Sequence, residues 1–387
     1  LKHFGSPCVR YAWGLLYYID SMARCTIIVI FLILFHMQGQ GQCSFERIYD
    51  RLQNSDVARA TLESSDGTFV ACGLSSGGGE SDLLILKTTQ CGDTLWMQQI
   101  NYSVNGGEPG NSIVQTYDGS YSICGAIYDS VEGASNSYLY KITSDGDSAW
   151  FKEYNIGFND YGQEHLQTAD SGFVIGGYRN VVGDSSLFIF KTDEYGNQEW
   201  VTFLGDTNFD FLYDILLTND GGYVISGAFQ NAATMGIDWF LIKVDSLGVE
   251  QWSRDYSTGT PDDWAHVIQT EDNGFLLTGG REKIPSGGQF ESWIVKTDSM
   301  GILEWDTLWG LLYDNYILYD VAQTPDGNYI AAGFVREIDS NQYGPNAWLV
   351  KFDTTGDTLW TRQYNYLGGK HHTYSRDMHV TADGGVI

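Results

Sequence analysis

Five carboxylates recur at one place in a repeating pattern. Asp56, Glu108, Asp160, Asp210 and Asp262 each stand eight residues ahead of the Ser or Thr that opens a Gly-containing turn. A sixth copy carries Tyr316 there, with Asp314 close by. Carboxylates at equivalent strand starts can form a ring of oxygen ligands at a channel mouth, a setting for Ca²⁺ or a cationic ligand. An Asp at a strand start also accepts bonds from nearby backbone N–H groups, which is turn chemistry and needs no ligand. No Asp-x-Asp-x-Asp-Gly loop occurs, so no cofactor is assigned, and Ca²⁺ is the one ion the pattern admits. Two carboxylates ~5–9 Å apart would suit glycoside hydrolysis, but nothing singles out a pair. His371-His372 near Asp377 is a further metal candidate, whereas His165, His266 and His379 fall at different repeat positions. No Ser-His-Asp order, nucleophile elbow or phosphate loop is present. The chemistry on offer is binding before catalysis.

The elements that position these residues announce themselves by repetition. Lys87, Lys141, Lys191, Lys243, Lys296 and Lys351 are each followed after five residues by Gly and after nine by Trp. The tryptophans are Trp96, Trp150, Trp200, Trp252, Trp305 and Trp360, spaced 54, 50, 52, 53 and 55 residues apart. A fixed period of this length marks a repeat architecture. Within one unit, for example residues 210–259, four short apolar runs rich in strand-forming residues are separated by Gly-containing turns, with no helical period. The Asp-Gly-Gly type of turn between the first two runs needs Gly, because a tight hairpin requires positive φ. Four antiparallel strands repeated radially predict an all-β fold, a β-propeller of four-stranded blades. Neighbouring blades must cover one another's faces, so several units are needed for stability.

Two columns invite a role. The Trp column is expected to wedge between blades. The Lys column occurs in all six units, and four copies place Asp two residues later (Asp193, Asp245, Asp298, Asp353). That spacing predicts a structural Lys lying along the interblade surface, its ammonium near the following carboxylate. Cys72 and Cys124 share a column with Gly176, Ser226, Thr278 and Ala332 and read as small buried fillers; Cys91 falls in a turn, and no metal or redox site is assigned.

The balance of 49 acidic against 21 basic residues gives a formal charge of −28, which argues against nucleic acid and against an anionic membrane surface. Residues 1–21 carry no repeat and read as an upstream segment. Residues 22–42 have the form of a signal peptide, with Arg24 ahead of an apolar run too short to span a membrane. Residues 43–387 are the propeller. Six units are complete by about Gly368, and a seventh opens at Tyr374 and is still in its second strand at Ile387. Residues 43–50 match an outer strand without its blade, so they are expected to complete the seventh blade as a latch. Seven blades are expected, six complete and one split.

The frame Lys-x-Asp-x-x-Gly-x-x-x-Trp, followed by Thr-x-Asp-Gly-Gly-Tyr-x-x-x-Gly, resembles the extracellular β-propeller repeat proteins common in Bacteroidetes. That resemblance covers residues 43–387 and implies export, often with a type IX secretion sorting domain further along the chain. The Gly-x-x-x-Trp element is also similar to that of quinoprotein propellers, though this chain lacks their adjacent Cys-Cys pair. The connections between second and third strands vary in length and share one face with the acidic column, where repeat proteins place binding. The expected function is therefore an exported, non-enzymatic binding or adhesion scaffold, a monomer with a protein or glycan ligand. The alternatives are a carbohydrate-active or quinoprotein-like enzyme at the channel mouth, and a structural spacer.

Overall fold

Turn chemistry sets the register of every unit. In the fourth unit Thr218 Oγ1 donates to Asp220 Oδ1 at 2.5 Å, and Gly222 N donates to the same oxygen at 3.1 Å. Gly221, at φ 81°, closes the hairpin through its N–H to Thr218 O at 2.8 Å. The strands on either side, Asp210–Leu217 and Tyr223–Gln230, then pair antiparallel, followed by Ile237–Val244 and Glu250–Tyr256. The same order is repeated in six four-stranded sheets, with sequence neighbours always paired. These are blades 1 to 6, at residues 55–100, 110–154, 160–204, 210–256, 262–309 and 315–364. The fold is an all-β propeller. The computed structural model describes residues 28–31, 46–49, 377–381, 385–386 and, between short breaks, 55–364. The breaks fall at 78–79, 103–106, 108, 130–132, 158, 182–183, 206–209, 232–235, 284–288, 311–314 and 337–345, so the centres of the varied connections lie outside the described residues. No helix among the described residues is long and apolar enough to cross a membrane.

The core lies between blades. Val174, Leu187 and Ile189 of blade 3 pack in one cluster with Leu212, Ile225 and Phe240 of blade 4. Blade 4 in turn sets Val224 and Trp239 against Val267, Phe275 and Trp293 of blade 5, the two indoles 4.6 Å apart. Cys72 and Cys124 are buried free thiols in these layers, while Cys91 in the outer hairpin of blade 1 is disulfide-bonded.

Five of the six repeated tryptophans reach forward to the next blade. Gly248 of blade 4, at φ 79°, lies so close to Trp200 of blade 3 that a Cβ would sit 2.6 Å from the indole. Gly146, Gly196, Gly301 and Gly356 face Trp96, Trp150, Trp252 and Trp305 in the same way. The indoles are half-buried rather than enclosed. Covering ~100 Å² of each is worth about 2.5 kcal/mol at ~25 cal/mol/Å².

The Lys column is paired differently from the expectation. Lys Nζ meets the Asp of the first hairpin across the sheet, in pairs Lys87–Asp66, Lys141–Asp118, Lys191–Asp170, Lys243–Asp220, Lys296–Asp272 and Lys351–Asp326. The Asp two residues beyond the Lys is taken up by its own turn: Asp245 Oδ1 accepts from Leu247 N and Val249 N, both at 2.9 Å. A turn with unpaired N–H groups captures the nearest carboxylate first.

Both ends of the described chain touch the ring. Met378 N donates to Asp320 Oδ2 of blade 6 at 2.8 Å, and Asp377 Oδ2 accepts from Thr61 N of blade 1 at 2.5 Å. Val380 and Val386 form an antiparallel bridge, and Met378 and Val386 are buried against Ile330 and Leu349 of blade 6. Tyr49 Oη donates to Gly92 O of blade 1 at 2.6 Å, as Tyr154 does to Gly196 and Tyr256 to Gly301. Its strand Glu46–Tyr49 pairs with Ile28–Phe31, inside the apolar run read as a signal peptide. Pairing of that strand with the seventh unit is not among the described contacts.

Candidate axial binding site

Every inner strand carries a bulge, and the bulges share a target. In blade 1 Ala58 pairs with Gly73 and Ala60 with Cys72, which leaves Arg59 out of register. Asn111, Gln163, Tyr213 and Tyr319 are passed over in the same way in blades 2, 3, 4 and 6. Blade 5 passes over two residues, Trp264 and Ala265. A bulge turns the extra residue's side chain away from the regular pleat. Here Arg59, Asn111, Gln163, Tyr213, Trp264 and Tyr319 all border one cavity of about 230 Å³ at the ring's axis.

Beneath them lies the column four residues ahead of the hairpin Ser or Thr. It reads Ala60, Ser112, Glu164, Asp214, His266, Asp320 and Asp377, of which Ala60, Glu164, His266 and Asp377 line the same cavity. The carboxylates are staples between blades. Asp214 accepts from Ile215 N at 2.7 Å and from Val267 N of blade 5 at 3.1 Å. Asp320 accepts from Val321 N at 2.7 Å as well as from Met378 N. Asp377 accepts from both N and Oγ1 of Thr61.

Crowding like charges near an axis shifts their protonation. Burial, with the charge of Asp214 adding to it, pushes the Glu164 carboxyl up to about 8. Burial and then the charge of Asp377 hold Asp320 well above the ordinary carboxylate range. His266 feels burial in the opposite sense, but the carboxylate of Asp214, 3.7 Å away, outweighs it and raises the imidazole to about 9. At neutral pH the floor thus holds a cationic His266 beside a mostly protonated Glu164. His165 is different: enclosed between Ser112 Oγ at 2.9 Å and Ser122 Oγ at 2.8 Å, it is driven by burial to about 3 and stays neutral.

Four members of the acidic column are among the described residues. Asp56, Asp160, Asp210 and Asp262 are buried, and none lines the axial cavity. Asp160 accepts from Ile156 N at 2.6 Å and Gly157 N at 2.7 Å; Asp262 accepts from Thr258 N at 3.2 Å and Thr258 Oγ1 at 2.7 Å. Each clamps the loop ahead of its own strand. Burial raises the carboxyl of Asp160, and raises that of Asp262 to about 7. Asp210 borders a separate cleft of about 280 Å³ with Leu187 and Gly205 of blade 3. Glu108, Asp314 and the pair His371-His372 lie outside the described residues. No group of three or more His, Cys, Asp or Glu among the described residues is arranged to hold a metal. Sequence reasoning missed both the bulge column and the column after it; for the second a signal was present, since Glu164, Asp214, Asp320 and Asp377 share an alignment position.

No protein-family model matches the chain, and no curated protein matches it in sequence. Its structure is similar to a variant of Synechocystis apocarotenoid oxygenase, with TM-score 0.51 and 12% identity over 84% of this chain and 74% of that one. It is also similar to Sqt1 from Chaetomium thermophilum, with TM-score 0.49 and 12% identity over 83% and 74%. A third likeness is to Penicillium chrysogenum alpha-L-arabinanase complexed with arabinobiose, with TM-score 0.48 and 12% identity over 70% and 87%. At such identity the likeness is one of fold, and fold alone decides neither binding nor catalysis.

Proposed function

We propose that this chain is an exported, non-enzymatic binding scaffold that receives its ligand at the axial cavity. The observation that carries this reading is the convergence of six bulged side chains, one from each blade, on a single pocket. The copies agree at the columns that build blades and differ at the column that meets at the axis, as expected of a surface chosen for contact rather than packing. Absence of catalysis is favoured by the carboxylates' existing duties, since Asp214, Asp320 and Asp377 already accept backbone N–H bonds across blades. Glu164 favours a second reading, a carbohydrate-active enzyme, because a carboxyl held near 8 is a proton donor at neutral pH.

The disulfide at Cys91 supports export, because such bonds persist in oxidising compartments. The setting we infer is the cell surface of a type IX secreting bacterium, with the chain a monomer facing a protein or glycan partner. We also infer seven blades. The contacts of Tyr49 and Asp377 with blade 1 support a split blade lying between blades 6 and 1. A glycan array probed with the full chain, with and without EDTA, tests the function. Retention of a glycan without new reducing ends is the expected result, and loss on EDTA would assign Ca²⁺. Release of reducing sugar would overturn the non-enzymatic reading.

A further inference from the structure

Resting on the axial-cavity reading above, we propose that the cavity takes one neutral, polyhydroxylated six-membered ring, a terminal monosaccharide unit, stacked on Trp264 and hydrogen-bonded by Gln163. Trp264 is the reason to look here. Its φ of 56° places a bulky aromatic in the left-handed region, where the other non-glycine residues described are Asn159, Ser171 and Asn273. An indole held in that conformation is strained, and such strain persists where the surroundings enforce it and clusters at ligand sites. The neighbouring strand leaves room for it: a Cβ on Gly279 would lie 1.4 Å from Trp264 O and 2.4 Å from the Trp239 ring, a closer approach than the 1.9–2.1 Å at the matching glycines of the other blades, Gly73, Gly125, Gly177, Gly227 and Gly333. Trp264 is braced edge-on by Tyr319 at 5.2 Å and by Phe290 at 5.9 Å.

The cavity is divided. Tyr213, Trp264 and Tyr319, from three consecutive blades, make one half aromatic; Arg59, Asn111 and Gln163, from the other three, make the opposite half polar. Arg59 donates to Asn111 Oδ1, and Asn111 Nδ2 donates to Gly162 O at 2.7 Å. Gln163 makes no side-chain hydrogen bond among the described residues, so its amide is the one presented to a ligand. Aromatic faces opposite amides fit a ring with apolar C–H faces and a hydroxylated edge. Charge narrows the class. A cation would meet Arg59 and the imidazolium of His266, and an anion would meet Asp377. Size narrows it again: a cavity of ~150 Å³ admits benzene, so about 230 Å³ admits one substituted six-membered ring.

The test is titration of the full chain with D-glucose, D-galactose and N-acetylglucosamine, followed by tryptophan fluorescence and calorimetry, with choline chloride as a cationic probe. Saturable sugar binding with Kd of about a millimolar is expected. Trp264→Gly should weaken it about tenfold or more and Gln163→Leu several-fold. Trp264→Gly should melt no lower than the native chain by more than a few degrees, because glycine adopts this φ without strain. Should Trp264→Gly fail to fold, Gln163→Leu carries the test alone. Saturation by choline but not by sugars, abolished in the variants, would overturn the ligand class and leave the axial cavity in place as a binding site. Sugar binding unaltered in both variants would put the ligand elsewhere and overturn both readings. Binding of no probe would overturn the monosaccharide assignment.

Discussion

Replacing Gly248 by alanine separates the two demands made on that residue. The first is conformational: at φ 79° an alanine costs about 1 kcal/mol or slightly more. The second is steric, since the new methyl would lie 2.6 Å from the Trp200 indole and 2.8 Å from Thr202 Oγ1. Forcing a packed ring aside costs typically 1–3 kcal/mol. Gly221 supplies the control within the same blade. It has nearly the same φ, 81°, and nothing within 4 Å of its would-be Cβ, so Gly221→Ala meets only the first cost. At about 2 °C per kcal/mol for a chain this size, Gly221→Ala should lower Tm by about 2 °C and Gly248→Ala by about 4–8 °C. In the double variant Gly248→Ala, Trp200→Ala the clash with the indole should vanish and only that with Thr202 Oγ1 remain, so the combined loss should be less than the sum of the separate losses. Differential scanning calorimetry at matched scan rate is the assay. Equal losses for Gly221→Ala and Gly248→Ala would refute the idea that Trp200 is seated under the next blade's glycine.

Other consequences follow from the same geometry. Trp200→Ala alone should cost about 2–3 kcal/mol, less than for a fully enclosed indole, because part of the ring stays exposed; a loss above about 4 kcal/mol would refute that. Lys243→Met should cost within about 1 kcal/mol, as Asp220 is 60% exposed and the pair is screened, and urea melts at low and high salt would check it. Stability should peak in mildly acidic solution. Glu164 and His266 are raised to about 8 and about 9, so the native state holds protons the unfolded chain releases, and stability falls as pH rises from about 5 to 9. On the acid side, burial raises Asp170, Asp220 and Asp272, but hydrogen bonds with Lys, Thr and backbone partners outweigh it and hold each at about 2. Their contribution is present above about pH 4 and lost as pH falls towards 2. Glu164→Gln should flatten the alkaline limb, and an unchanged slope in pH-dependent melts would count against the raised carboxyl. Asp377→Ala should leave Thr61 N without its acceptor at a cost of about 1–3 kcal/mol, read as faster proteolysis of the C-terminal segment.

The architecture was legible because it is written six times. A tight hairpin tolerates few residues, so the Asp of the first hairpin with a Gly one or two residues later, the Lys column and the Gly-x-x-x-Trp frame survive in all six complete units. The pairing of Lys with the hairpin Asp was not legible, because Lys243 and Asp220 are neighbours across two strands rather than along one. The adjacent Asp245 offered a shorter route on paper, but its own turn had already engaged it.

The axial site escaped for a deeper reason. A repeat is recognised through what its copies share, and a binding surface assembled around an axis depends on what they do not share. Arg59, Asn111, Gln163, Tyr213, Trp264 and Tyr319 have no common chemistry, and nothing in a single unit shows that the bulge aims them at one point. The acidic column drew attention because five copies share it, and Asp160 and Asp262 use their carboxylates on the loop ahead of their own strands. Within such a ring, agreement between copies marks scaffold, and departure from agreement at a position held by a bulge marks the site. Trp264 departs twice, in residue type and in backbone, which makes it the position where ligand binding and blade stability should come apart under mutation.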